Sequence, residues 1–176
     1  MNYSNRLIPC LLISDEDLVK TRKFKKPIYI GDPINTAKIF NDKEVDELIV
    51  IDISCQKNKK EPNYKIIKEL ASECFMPLCY GGGITNMKIV DKLFSLGVEK
   101  ICIQEAFFNN PDLINKIIKK YGSQSLVISV DIKKNILGKK KLYRSASNKL
   151  SKLSYSDYIN KVTESGAGEL LLCCVD

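Results

Sequence analysis

The chain has 176 residues, 44% of them hydrophobic, which suffices for one domain with a buried core, and no apolar run reaches the roughly 18 residues needed to cross a bilayer. Its net charge of +7 comes from 25 Lys and only 3 Arg, clustered at 57–60, 133–134 and 139–141. Without arginines and interleaved aromatics this argues against nucleic-acid binding and reads as a solvated basic surface that draws in anionic substrates.

Histidine is absent and none of the seven cysteines falls in a C-x-x-C pair, which excludes the usual zinc and haem patterns. Reduced, buried, structural cysteines are expected, with no metal or organic cofactor. Residues 1–8 lack the pattern of a secretory leader, so a cytoplasmic protein is expected.

Short apolar runs alternate with helix-length amphipathic stretches. The first strand is predicted over 7–13, and Asp32-Pro33 caps a helix running to about Lys43. The run ELIVIDI over 47–53 predicts a strand buried on both faces. A helix follows over 63–74, then a strand over 76–80, a turn at Gly81, Gly82 and Gly83, and a helix over 86–96. A fourth strand spans 99–104, and Asn110-Pro111 opens a helix to about Tyr121. The fifth strand, 125–132, leads into a small hairpin excursion at 139–144; a helix over 155–165 and a strand over 169–175 complete the pattern.

Six strands and five helices in alternation predict an α/β fold with parallel strands and right-handed crossovers. Two architectures fit: an open doubly wound sheet, or a (β/α)8 barrel of TIM type with about six of its βα units. No G-x-G-x-x-G follows the first strand, so dinucleotide binding is not expected. A faint repeat favours the barrel: Asp52 and Asp176 lie 124 positions apart in similar runs, and Leu12 and Asp131 lie 119 apart.

In such folds chemistry gathers where strands end. The three glycines allow a sharp turn and a close approach of bare N–H groups to an anion, just before a helix N-terminus; a tight turn with no ligand explains them equally. Asp52, Asp131 and Asp176 close strands, as do Gln104 and Glu105, and a carboxylate there can serve as general acid or base. Asp131 is the sharpest candidate because it ends a wholly apolar run; its alternative is a loop cap. At the opposite strand ends Arg6, Glu47, Lys100 and Glu169 would converge in a closed barrel, or simply solubilise it.

Several segments together resemble a known family. They are RLIPCLLI at 6–13, Gly31-Asp32-Pro33, Asp46-Glu47-Leu48 with Asp52, and PLCYGGGI at 77–84. Gly122-Ser123-Gln124 leading to Asp131, and Gly166-Ala167-Gly168-Glu169 leading to Asp176, extend the likeness over the whole chain. The sequence is similar to the cyclase subunit of imidazole glycerol phosphate synthase. That resemblance implies a (β/α)8 barrel, here one domain over 1–176 lacking its last two βα units. It implies a partner glutamine amidotransferase at the barrel bottom, with ammonia passing through the barrel to a phosphorylated or nucleotide-linked substrate at the top.

Carried over by resemblance, Asp131 is the strand-five acid–base residue, while Leu12 stands where the first catalytic aspartate is expected. Arg6, Glu47, Lys100 and Glu169 correspond to the gate charges, and Gly81, Gly82 and Gly83 to the phosphate-binding turn. Gln104-Glu105 replaces an Asn-Ser/Thr pair, and Lys152 stands where glycine is expected. Lys20, Asp52 and Asp176 complete the substrate-binding set. Leu12, with Val19, Lys20, Thr21 and Lys25, is closer to a diverged branch that puts an acetamidino nitrogen on a nucleotide-linked sugar in surface-polysaccharide synthesis. The competing expectation is a truncated, inactive barrel that only binds an amidotransferase.

Overall fold

The computed structural model describes residues 5–58 and 60–176, so residues 1–4 and Lys59 of the 57–60 cluster lie outside the described residues. Its strands are β1 (Cys10–Ser14), β2 (Asp17–Arg22), β3 (Lys25–Gly31), β4 (Leu48–Asp52), β5 (Leu78–Gly81), β6 (Lys100–Ile103), β7 (Leu126–Lys134), β8 (Lys140–Arg144), β9 (Lys149–Leu150) and β10 (Glu169–Cys174). Its helices are α1 (Pro33–Asp42), α2 (Ile53–Asn58), α3 (Tyr64–Glu73), α4 (Met87–Ser95), α5 (Glu105–Asn109), α6 (Pro111–Tyr121) and α7 (Tyr155–Ser165).

The helix boundaries follow from local chemistry. Asp32, Asn63, Asn86, Asn110 and Ser154 each accept a backbone N–H of the turn they precede, and Pro33 and Pro111 start α1 and α6 with a preset φ. Gly166 ends α7 in the left-handed conformation, with φ 79°.

The parallel series runs β1-β4-β5-β6-β7-β10. This is the α/β arrangement expected from the alternation. Because β10 occupies one edge of β7 over Val127–Ile132, β8 extends the other edge beyond β6 and pairs antiparallel with β7, so that Asp131 faces Tyr143 and Lys134 faces Lys140. The excursion predicted at 139–144 is therefore a strand of the same sheet. Among the described residues no pairing joins β10 to β1.

Period-two alternation sorts the core into two layers. Leu48, Val50, Leu78, Tyr80, Ile101, Ile103, Leu126 and Ile128 face the helices, meeting Ile67, Leu70, Val90, Leu93, Ile114 and Ile117. Ile49, Cys79, Cys102 and Val127 face the other way, packed with Ile8, Ile51 and Leu171. Leu170 and Leu172 of β10 point outward and stay exposed. The cysteine expectation needs correcting: all seven are free, but only Cys55, Cys79 and Cys102 are buried, because Cys10 and Cys174 lie on the two strands that end the parallel series.

Three elements depart from the sequence reading. β1 begins at Cys10 rather than Leu7. The β2–β3 hairpin, absent from the expected pattern, pairs with β1 through Leu12–Val19 and Ile13–Leu18. Short helices α2 and α5 fill the βα connections after β4 and β6.

The glycine turn is demanded by packing. A Cβ on Gly82 would stand 2.4 Å from the Asp52 carbonyl oxygen, at a φ of +119° that side chains rarely adopt. A Cβ on Gly81 would stand 2.7 Å from Ile51 Cδ1 and 3.0 Å from the Cys102 carbonyl. Gly82→Ala is therefore expected to cost about 2 kcal/mol or more, read as a lower midpoint in urea unfolding.

Candidate functional site

At the N-terminal ends of the parallel strands four side chains form a closed circuit. Arg6 donates from Nη1 to Glu47 Oε2 at 3.3 Å and from Nη2 to Glu169 Oε1 at 3.0 Å. Lys100 Nζ bridges the same two oxygens at 2.5 Å and 2.9 Å. Each cation touches both carboxylates; Lys100 and Glu169 open β6 and β10, Glu47 immediately precedes β4, and Arg6 lies in the segment leading to β1. Glu47 is 1% exposed, and its second oxygen, Oε1, is buried with no hydrogen-bond partner among the described residues.

The circuit shifts its members. Burial pulls Lys100 down, but hydrogen bonds from its ammonium to Glu47 and Glu169 outweigh that and its pKa is raised. Burial pushes Glu169 up, and the hydrogen bonds from Lys100 and Arg6 bring it below its ordinary 4.5. The hydrogen bond to Glu169 raises Arg6 further.

At the C-terminal ends, Asp131 is 4% exposed. Gln104 Nε2 donates to its Oδ2 at 2.8 Å and to the Tyr143 carbonyl at 3.3 Å, while Ser129 Oγ donates to Oδ1 at 3.3 Å. Gln104 is held in turn by Ser145, whose N–H and hydroxyl donate to Gln104 Oε1 at 3.1 Å and 2.9 Å. Burial raises the Asp131 pKa, and the hydrogen bonds from Gln104 and Ser129 hold part of that rise back. A raised carboxyl pKa makes the protonated form easier to reach. Leu12 is half-buried beside Val19, so an aliphatic pair occupies that part of the inner face.

The other expected site residues divide. Asp52 is buried and fully engaged: Oδ1 accepts from Ser54 N, Ser54 Oγ and Cys55 N at 2.8, 2.7 and 3.1 Å, and Oδ2 accepts from Cys55 Sγ at 3.1 Å. It caps the turn into α2, the bland alternative open to a strand-end acid. Burial and the Asp52 contact push the Cys55 thiol up to about 12, so it is no nucleophile. Asp176 accepts the backbone N–H of Lys134. Lys20 is exposed on β2 and makes no ion pair among the described residues.

Gly83, Thr85 and Asn86 line a cleft of about 380 Å³ shared with Glu105, Asn109 and Asn110. Glu105 does not stand there as a free charge. Arg144 of β8 forks onto its carboxylate, also donates to Asn109 Oδ1 at 3.1 Å, and lies 4.6 Å over the Phe108 ring. Ser145 and Arg144 escaped the sequence reading because the β8 excursion that delivers them has no apolar pattern pointing at β6.

A family described as histidine biosynthesis protein matches residues 6–176. The chain belongs to that family. It is 48% identical over 171 residues to the hisF2 protein of Pseudomonas aeruginosa, a match covering 97% of this chain and 68% of that one. The imidazole glycerol phosphate synthase subunit HisF of Dictyoglomus thermophilum is 35% identical over 175 residues, covering 98% of this chain and 69% of the relative. The HisF subunit of Helicobacter hepaticus is 34% identical over 176 residues, 70% of its length. These are HisF-like cyclase relatives, and the α/β parallel sheet is consistent with the TIM barrel of the family.

The lowered pKa of Glu169 has a signed consequence. Its stabilisation is complete above pH 4.5 and is lost as pH falls through the lower folded value. Glu169→Gln is expected to be less stable than wild type at neutral pH and to lose less stability on acidification, measured as urea midpoints across the acid range.

Proposed function

We propose that this chain is the ammonia-using synthase subunit, a lyase of the imidazole glycerol phosphate synthase type, working beside a glutamine amidotransferase. The observation that carries this reading is the Arg6–Glu47–Lys100–Glu169 circuit, with one buried acceptor oxygen left over on Glu47. A buried acceptor without a donor costs about 1–3 kcal/mol, and a small donor such as ammonia relieves it. The amidotransferase docks at this end, and neutral ammonia moves along the inner face past Ile49, Cys79, Cys102 and Val127. It reaches a phosphorylated or nucleotide-linked acceptor near Asp131, which exchanges the proton. The Gly81–Gly83 turn and Lys20 meet the acceptor's anionic groups, and Gln104 and Asp176 border the same end.

The finer reading is a diverged activity, amidine formation on a nucleotide-linked sugar, supported by Leu12 in place of a second carboxylate. In this reading the 176 residues form one barrel domain with about six βα units, supported by the six-strand parallel series and by the lack, among the described residues, of any pairing between β10 and β1. A second reading, a barrel that binds the amidotransferase but performs no chemistry, draws on the sealing of Asp131 by Gln104 and Ser129.

Two variants separate these readings when the chain is co-purified with a glutamine amidotransferase partner. Lys100→Ala is expected to lower the stimulation of glutamine hydrolysis about tenfold, and no change would remove the docking role of the circuit. Asp131→Asn is expected to lower ammonia-dependent turnover about 10²-fold or more while stimulation of the partner persists. Turnover unaffected by Asp131→Asn sinks its acid–base role, and stimulation without any turnover favours the second reading.

A further inference from the structure

The net charge is distributed unevenly. Residues 20–31 and 133–152 together carry 13 of the 28 Lys and Arg and none of the 21 Asp and Glu, so the remaining 144 residues are net −6. These two acid-free segments meet in space: Phe24, at the β2–β3 turn, packs 6.2 Å from the Tyr143 ring of β8, and Lys133 lies 4.6 Å over that same ring. In strand order β4, β5 and β6 separate β1 from β7, so the hairpin reaches over the C-terminal ends of the sheet, the end opposite the Arg6–Glu169 circuit.

The outermost strand there is unpaired. β3 is the last strand of the sheet on its side, and β2 is its one partner among the described residues. Ile28, Tyr29 and Ile30 are 55%, 63% and 49% exposed, in a strand where only Gly31 is sheltered. Exposed edges are ordinarily blunted by charge or proline. Lys25, Lys26 and Pro27 do that for the first half of β3, and the second half is left open.

We propose that the 28–30 edge of β3 is a docking site for an acidic protein partner that adds a strand to it. Lys20, paired opposite Ile28, and Lys25 and Lys26 ahead of it in β3 call for a partner strand rich in Asp or Glu where it passes them, and Ile28, Tyr29 and Ile30 call for apolar residues alternating with those acids. A second copy of this chain pairing in parallel would set Lys25 and Lys26 of one against those of the other, and dimerisation of the free chain in analytical ultracentrifugation overturns the proposal. A lipid surface is disfavoured because unpaired backbone N–H and C=O groups find no partners in hydrocarbon. Nucleic acid is disfavoured because only Arg22 and Arg144 are arginines here, and Arg144 is taken by Glu105. This surface is independent of the amidotransferase reading and lies at the other end of the strands.

The test titrates the full chain with a fluorescent peptide of about six residues alternating Glu and Val, and in parallel with its Lys–Val counterpart. Anisotropy reports binding, and hydrogen exchange reports protection of the 25–31 amides. The Glu–Val peptide is expected to bind at least about tenfold more tightly than the Lys–Val peptide and to protect 25–31. Ile28→Asn/Ile30→Asn and, separately, Lys25→Glu/Lys26→Glu are each expected to weaken it about tenfold while circular dichroism is unchanged. Absence of binding, equal binding of both peptides, or binding without protection of 25–31 overturns the proposal. Binding of phosphatidylserine vesicles or a thymidine oligomer in place of the peptide overturns it too.

Discussion

Glu47 and Glu169 are shared between the same two cations, and that sharing ties together parts of the chain that have no other reason to meet. Arg6 and Glu169 are 163 positions apart, yet their side chains are 3.0 Å apart. Arg6 lies four residues ahead of β1 and Glu169 opens β10, the first and last strands of a six-strand parallel series, so the sheet has to curl for the contact to exist. Removing two carboxylates and a lysine from water is expensive, and apolar residues of similar volume often stabilise as well or better. The circuit is therefore a poor device for stability alone. What it does supply is register, since a strand slipped by one residue would turn Glu47 or Lys100 to the helix side, where Leu48 and Ile101 now sit.

The same alternation explains why the two faces of the sheet differ. The helix side is filled by leucine, isoleucine and tyrosine against five long helices. The inner side uses smaller groups, including Cys79, Cys102, Val127 and Gly81. Gly81 is part of that fit, because any side chain there would run into Ile51 and the Cys102 carbonyl. A curled sheet has less room on its concave side, and residue size follows the curvature.

The sequence made the alternating frame readable because each signal was local. Asparagine, aspartate or serine preceded the helices, proline opened two of them, and unbroken apolar runs marked the strands. Asp131 was visible as the acid ending one such run. The hairpin was not, because residues 15–26 carry eight charges in twelve positions and hide their period. Its order comes from pairing with β1 and from Phe24 on Tyr143, which are tertiary contacts. Asp52 shows the converse: a strand-end acid looks the same in sequence whatever its side chain meets, and its hydrogen bonds to Ser54 and Cys55 of the following loop appear only in the fold. The four circuit residues were legible as charges at strand starts, but only their register separates a closed circuit from solubilising charge.

The surroundings of Asp131 limit what can happen at that end. Its two hydrogen-bonding side chains are an amide and a hydroxyl, neither of which takes up or releases a proton near neutrality. Leu11 and Ile13 face the helices, so Leu12 lies on the inner face with Ile8, and the strand paired to it brings Val19 rather than a second acid. A lone carboxyl with a raised pKa can take a proton from one atom and return it later, but it cannot act as acid and base at two atoms in the same step.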